Sequence, residues 1–258
     1  MTSFLPVGKL NNKLLQEILS EINNVGSTPK IGEDSAMISI RDQEDLLVSS
    51  DPITFDSENI GKYVLDVCAN DIYAAGGVPK WFLLTTLIPP KTRFSDLKKV
   101  LSEVNERAQL LNIDIVGGHT EITEAVNKII LSGTILGTFN KNFINGQVVT
   151  ENQTIILGGL AGIEGSKIIT ENIKLSNSKL KNLSNLASNL SISVSEIAEI
   201  AISTGKIIKM HDPTEGGIST AIHEICEFSN VGCEIDINAI NFVSDFKEVC
   251  ETLNINPL

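Results

Sequence analysis

Helix-patterned and strand-patterned segments alternate through the first 139 residues, and glycine or proline pairs end several of them. Apolar residues at helical spacing predict helices over residues 11–25, 59–75 and 95–111. Short runs of β-forming residues predict strands over residues 36–40, 46–50, 81–88, 113–116 and 128–136. A charged turn separates the first two strands, which favours a hairpin. Because hairpins are mixed with helices, the pattern favours an α+β fold over a doubly wound parallel sheet.

The composition shifts after Phe139, where asparagines, a lysine and an Asn-Gly pair follow in quick succession. We expect a domain boundary there, which divides the chain into residues 1–140 and 141–258. The second part is predicted to be α+β as well. Its predicted strands and helices cover residues 154–157, 174–189, 195–203, 216–227 and 231–237.

Composition excludes several classes of function. The chain has 258 residues, 42% of them hydrophobic, and no unbroken apolar stretch long enough to predict a membrane span. Its start lacks a secretory signal pattern, so we expect a cytoplasmic protein. A net charge of −12 repels DNA and RNA, so no nucleic-acid partner is expected. Four cysteines form no C-x-x-C pair and only three histidines are present, which argues against zinc.

Four aspartates occupy positions where carboxylates can serve a shared site. Asp34 and Asp51 lie in Gly-Glu-Asp-Ser and Ser-Asp-Pro runs beside predicted strands, although a simple turn also explains each of them. Asp71 lies inside an apolar helical pattern, where a carboxylate must either face solvent or have a partner such as a cation. Asp212 precedes a predicted helix, where a helix cap is the alternative role.

Two glycine-rich runs can present backbone N–H groups to an anion. The run Gly117, Gly118, His119, Thr120 and Glu121 follows a predicted buried strand, and a plain glycine turn is the alternative interpretation. Thr214, Gly216 and Gly217 precede a helix whose N-terminus carries a partial positive charge. Neither run is a Walker A motif, because no lysine follows at the required spacing.

The acids are oxygen ligands of the kind that Mg²⁺ takes, and Glu121 adds to the four aspartates. An acidic protein can hold a nucleotide when cations neutralise the phosphates, and such cations also stabilise charge during phosphoryl transfer. The residues therefore indicate a Mg-ATP site with Asp34, Asp51, Asp71 and Asp212 as candidate metal ligands.

These motifs resemble the aminoimidazole ribonucleotide synthetase-like (PurM-like) ATP-binding superfamily, and most of all its HypE branch of hydrogenase maturation proteins. They span nearly the whole chain in the order expected of that superfamily. The matching runs begin at Gly32, Ser50, Ala69, Gly76, Gly117 and Asp212. The Gly-Gly-His-Thr-Glu run at Gly117 is the one that points to the HypE branch.

The resemblance implies an N-terminal α/β domain whose sheet pairs with that of a second subunit to form a barrel. It also implies a homodimer, an α+β C-terminal domain, and ATP in a groove near the dimer interface. By motif match, residues 117–121 with Thr214, Gly216 and Gly217 become candidate nucleotide-binding residues. Other hydrogenase maturation proteins become candidate partners.

The implied activity is ATP-dependent phosphorylation of an amide-type or carbamoyl-type oxygen; HypE proteins dehydrate a carbamoyl group carried on a C-terminal cysteine. Here the last cysteine is Cys250, and the sequence continues to Asn-Pro-Leu. We therefore expect an incomplete C-terminal domain and leave the catalytic residues unassigned. Two alternatives stay open: a non-catalytic dimeric module, and a small-molecule kinase resembling thiamine-monophosphate kinase.

Overall fold

A computed structural model describes residues 13, 16, 36–38, 45–55, 59–139, 143, 147–173 and 178–258. The helix predicted at residues 11–25 is described only at Lys13 and Gln16, both of which are helical. The candidate ligand Asp34 and its turn lie outside the described residues.

One five-stranded sheet organises the N-terminal part, with strand order β1-β2-β5-β3-β4. All neighbouring strands pair antiparallel except β3 and β4, which are parallel. The α+β prediction and the hairpin of the first two strands are therefore confirmed. The strands are β1 (Ala36–Ile38), β2 (Leu46–Ile53), β3 (Gly77–Ile88), β4 (Asp114–Ile122) and β5 (Ile130–Phe139).

Seven α-helices are described. They are α1 (Ile60–Ala74), α2 (Phe94–Leu111), α3 (Ile163–Asn172), α4 (Ser178–Asn189), α5 (Ser195–Ser203), α6 (Gly217–Ser229) and α7 (Phe246–Leu253). Helices α1 and α2 cover one face of the sheet. No helix within the described ranges is long and apolar enough to cross a membrane.

The main core lies between this sheet face and α1. Val64, Cys68 and Ile72 of α1 are fully buried against the sheet residues Phe82 and Ile135. Every second residue of β5 faces this core, as expected for a strand with one buried face. A second, smaller cluster joins α3, α4 and α7 in the C-terminal part, and its buried members include Leu183 and Val249.

The structure corrects three sequence predictions. β3 begins at Gly77 rather than at residue 81, because a bulge between Pro79 and Trp81 lets the strand accommodate a proline. β4 does not end at the glycine pair but runs through it to Ile122. Residues 154–157 and 231–237 do not form strands, and Ile156 is 75% exposed. These two strands were predicted wrongly because an apolar run forms a stable strand only when another strand pairs with it.

Candidate functional site

Asp51 and Asp71 meet between β2 and α1. Asp51 lies on the same face of β2 as the buried residues Leu47 and Ile53, because side chains alternate along a strand. Asp71 is 9% exposed and lies in the helix that covers this face. The Ser49 hydroxyl hydrogen bonds to Asp71 Oδ2 and lies 3.3 Å from Asp51 Oδ2. One serine therefore serves both carboxylates.

Asp212 adds a third carboxylate from the C-terminal part of the chain. It is 5% exposed. Burial raises the pKa of Asp71 to about 11, the negative charge of Asp212 adds to the shift, and Asp51 contributes through a hydrogen bond and its charge. Without a cation, Asp71 therefore keeps its proton at neutral pH.

The donor set fits Mg²⁺ in kind, since it consists of carboxylate oxygens and one hydroxyl in a partly buried place. Within the described ranges, however, no three His, Cys, Asp or Glu side chains are arranged to hold one metal ion. The structure places Asp51 and Asp71 beside one serine, and the charge of Asp212 helps to raise the pKa of Asp71. The assignment of magnesium ligands, including Asp34, stays a prediction.

A buried histidine–glutamate pair orients the backbone at Asp212. His211 Nε2 lies 2.9 Å from Glu224 Oε2, and both side chains are less than 9% exposed. His211 Nδ1 lies 3.1 Å from the Asp212 carbonyl oxygen, so it is placed to donate to it. Glu224 was not predicted from the sequence. The available signal was an acid three residues after the buried Ala221, on the face that α6 packs inward.

The turn before α6 depends on its glycines. Gly216 has a φ of 82°, and a Cβ added there would lie 2.0 Å from Thr220 Oγ1. The Gly217 N–H donates to the Thr214 carbonyl at 3.0 Å. One amide of the first helical turn, Ser219 N–H, donates to the Leu258 carbonyl at 3.0 Å. Thr214, Gly216 and Gly217 follow Asp212 within five residues of the chain, and one amide of the first helical turn is already bonded to another part of the chain.

Residues 117–121 lie far from these carboxylates. They lie within β4, where Gly118 pairs with Leu84, which in turn pairs with Gly133, the partner of Asp51. Three strand spacings, about 14 Å, therefore separate Gly118 from Asp51.

His119 and Glu121 also lie on the opposite face of the sheet from Asp51. His119 and Glu121 pair with Thr85 and Leu87, which alternate with the buried Leu84, Thr86 and Ile88. Their side chains therefore lie on the sheet face opposite the helices. Both are exposed, with 3.6 Å between His119 Nε2 and Glu121 Oε2. The loop predicted at these residues is wrong, and their place in a nucleotide site stays a prediction.

Family comparison accounts for both parts of the chain. The AIR synthase related protein N-terminal domain matches residues 32–139, and the C-terminal domain of the same family matches residues 150–256. The chain belongs to the AIR synthase related family. The PurM-like resemblance expected from the motifs is thereby confirmed.

Curated relatives of this AIR synthase related protein include three of different description. A putative hydrogenase expression/formation protein of Methanocaldococcus jannaschii is 28% identical, over 97% of this chain and 76% of its own length. Carbamoyl dehydratase HypE of Escherichia coli K12 is 26% identical over 81% of this chain, which spans 61% of that enzyme. Thiamine-monophosphate kinase of Bacillus subtilis is 25% identical over 85% of this chain and 70% of the enzyme.

Solved structures show the same fold at lower identity. A HypE–HypF complex contains a chain with a TM-score of 0.74 at 21% identity, covering 96% of this chain and 80% of the other. HypE in complex with ATP gives a TM-score of 0.70 at 20% identity, with coverage of 98% and 75%. These likenesses establish the PurM-like two-domain fold of this AIR synthase related protein.

Proposed function

We propose that this protein binds Mg-ATP and uses it to phosphorylate an amide-type or carbamoyl-type oxygen, as HypE enzymes do. The observation that carries the proposal is that Asp51 and Asp71 share Ser49, while the charge of the buried Asp212 helps to raise the pKa of Asp71. Like charges so placed repel unless a proton or a cation intervenes. The HypE relatives and the fold shared with ATP-bound HypE support the choice of ligand.

The three carboxylates, together with Asp34, would hold the Mg²⁺ ions. When bound, these ions supply charge neutralisation at the phosphate oxygens. Ser49 contacts both Asp51 and Asp71 and so fixes their relative positions. The His211–Glu224 pair holds the backbone that positions Asp212. Thr214, Gly216 and Gly217 lie beside Asp212, so we assign them to the nucleotide phosphates.

The proposed reaction joins the substrate oxygen to the γ-phosphorus of ATP. The bond from that phosphorus to the bridging oxygen breaks, and its electron pair leaves with ADP. The C–O bond of the activated amide or carbamoyl group then breaks and its oxygen departs as phosphate, while the nitrogen releases its two protons to solvent and a C≡N bond forms. The carboxylates take part by placing the phosphates, since positioning and charge stabilisation account for most phosphoryl-transfer catalysis.

We propose a homodimer formed through the sheet face opposite the helices. Val78, Trp81 and Leu83 of β3 are 37–44% exposed on this face, which is unusual for large apolar side chains in a central strand. Residues 117–121 share the same sheet, so we assign them to the part of the nucleotide site nearest the dimer interface. The HypE–HypF complex supports other maturation proteins as further partners.

Calorimetric titration with ATP in Mg²⁺ tests the central claim. Wild type is expected to bind, and Asp71→Asn or Asp212→Asn to weaken binding at least tenfold, because each removes a negative ligand. Asp96→Asn, an exposed aspartate in the first turn of α2, is the matched control and should bind normally. Absence of binding by the wild type, or normal binding by both site variants, would refute the proposal.

A small-molecule kinase is the second candidate, favoured by the thiamine-monophosphate kinase of B. subtilis, of which this chain spans more than two thirds. ADP release with thiamine monophosphate, and none with carbamoyl or amide compounds, would replace the first proposal with this one. ATP binding without ADP release in either assay would instead identify the non-catalytic module.

A further inference from the structure

Helix α1 is buried on two sides. Its apolar positions face the sheet, whereas Tyr63, Asp66 and Asn70 form a stripe spaced three and four residues apart, which places them on one face. These three side chains are only 5–7% exposed. The stripe is therefore covered by other parts of the chain, and polar groups in such a place need partners.

Asn70 bridges α1 to the segment that precedes α5. Its Nδ2 donates to the Ile192 carbonyl at 2.9 Å, and its Oδ1 accepts from the Val194 N–H at 2.9 Å. Two hydrogen bonds from one amide fix both the position and the orientation of that backbone. Asparagine is a poor residue in the middle of a helix, so a packing or positioning role accounts for its presence there.

Lys167 of α3 holds the same segment by an independent contact. Its Nζ donates to the Leu190 carbonyl at 2.6 Å and lies 5.9 Å from the centre of the Tyr63 ring. Lys167 thus offers a control: it touches the same segment and the same stripe of α1, but it does not link the segment to a residue beside Asp71.

Asn70 connects two parts of the proposed site. Asp71 follows it directly in α1. The segment it holds leads through the nine-residue helix α5 and residues 204–211 to Asp212. We propose that Asn70 is a positioning residue that fixes Asp212 opposite Asp71 by anchoring the start of α5. Its effect on ligand binding rests on the proposed Mg-ATP site.

Two measurements on the full chain test this role: the Mg²⁺ dependence of ATP binding, and amide hydrogen exchange without ligand. Asn70→Ala is compared with Lys167→Met, and Asn70→Ser serves if the alanine variant does not fold. We expect the Asn70 variant to bind Mg-ATP at least tenfold more weakly, with its Mg²⁺ midpoint moved to higher concentration. Lys167→Met should stay within threefold of wild type.

Exchange separates the positioning role from the proposed function. The Asn70 variant should exchange at least fivefold faster at residues 209–216 and at residues 190–196, with the β-sheet unchanged. Lys167→Met should leave residues 209–216 unchanged. Unchanged amide exchange at residues 209–216 in the Asn70 variant would overturn the positioning role, regardless of the measured affinity for ATP. A wild type that does not bind Mg-ATP would refute the proposed function, and exchange alone would then decide the role of Asn70.

Discussion

The proton on Asp71 gives the metal-free protein a distinctive pH dependence. The carboxyl ordinarily titrates at 3.8, and in the folded chain its pKa rises to about 11. Between these values the folded state keeps a proton that the unfolded chain releases. The stability contributed by this proton is fully present below about pH 4 and is lost progressively as pH rises toward 11.

Asp71→Asn should remove that dependence, because the amide stays neutral at every pH. In EDTA at pH 8 we expect the variant to melt about 3 °C or more above wild type, and the advantage to shrink at pH 5. Thermal unfolding between pH 5 and 9 measures this. Asp96→Asn should follow the wild-type curve, and a wild-type slope in Asp71→Asn would contradict the assigned pKa.

The His211–Glu224 contact should contribute much more to stability than a similar pair on the same helix. Glu224→Ala leaves a buried imidazole without its carboxylate, which should cost about 2–4 kcal/mol in urea unfolding. Glu227→Ala breaks the exposed His223–Glu227 contact and should cost less than about 1 kcal/mol. Equal losses would show that His211 is stabilised mainly by other contacts.

Individual site residues could be predicted from the sequence where a residue type departed from the pattern around it. Asp71 inside an apolar helix indicated a partner, and the structure supplies Asp51, Ser49 and Asp212. Glu224 was missed because a single acid in an amphipathic helix is usually placed on the solvent side. Its burial depends on His211, which is thirteen residues away in sequence.

Among the elements, β4 depends on one glycine far more than on its neighbour. Gly118 has a φ of 151°, and a Cβ there would lie 2.0 Å from the Leu84 carbonyl oxygen. We expect Gly118→Ala to destabilise the protein by about 2–4 kcal/mol in chemical unfolding. Gly117→Ala is the matched control, since its Cβ would meet only Leu83 Cδ2 at 4.0 Å. Similar effects of both substitutions would argue against the β3–β4 register.

Helices were easier to predict than strands. The periodicity at residues 59–75 and 95–111 is complete within each helix, so α1 and α2 could be located from local sequence. Strand extent depends on a neighbouring strand. The glycine pair in β4 has the sequence of a strand end, but β3 pairs with it and continues the strand. The run at residues 231–237 has no strand partner among the described residues.

At the scale of the whole molecule, the proposed homodimer depends on the sheet face opposite the helices. Trp81→Glu places a charge among apolar side chains there, so we expect sedimentation or light scattering to show a monomer where wild type is a dimer. Leu186→Glu, on the comparably exposed surface of α4, should leave the dimer intact. A wild-type monomer, or a dimer that tolerates Trp81→Glu, would place the interface elsewhere or remove it.

The two-part architecture could be predicted because the motifs follow the family order, and the matches at residues 32–139 and 150–256 agree with two domains. The contacts between the two parts could not be predicted from the sequence. These contacts depend on side chains such as Asn70, which bonds to the backbone of residues 192 and 194, and Lys167, which lies 5.9 Å from the Tyr63 ring. No periodic pattern encodes such contacts.

The shared hydroxyl of Ser49 and the protonated Asp71 also have a calorimetric consequence. A divalent cation that binds between these carboxylates must expel the proton into the buffer. The heat of binding should then vary with the ionisation enthalpy of the buffer, and affinity should weaken as the solution is acidified. Acidification would therefore release the nucleotide, while protonation of Asp71 would at the same time increase the stability of the folded protein.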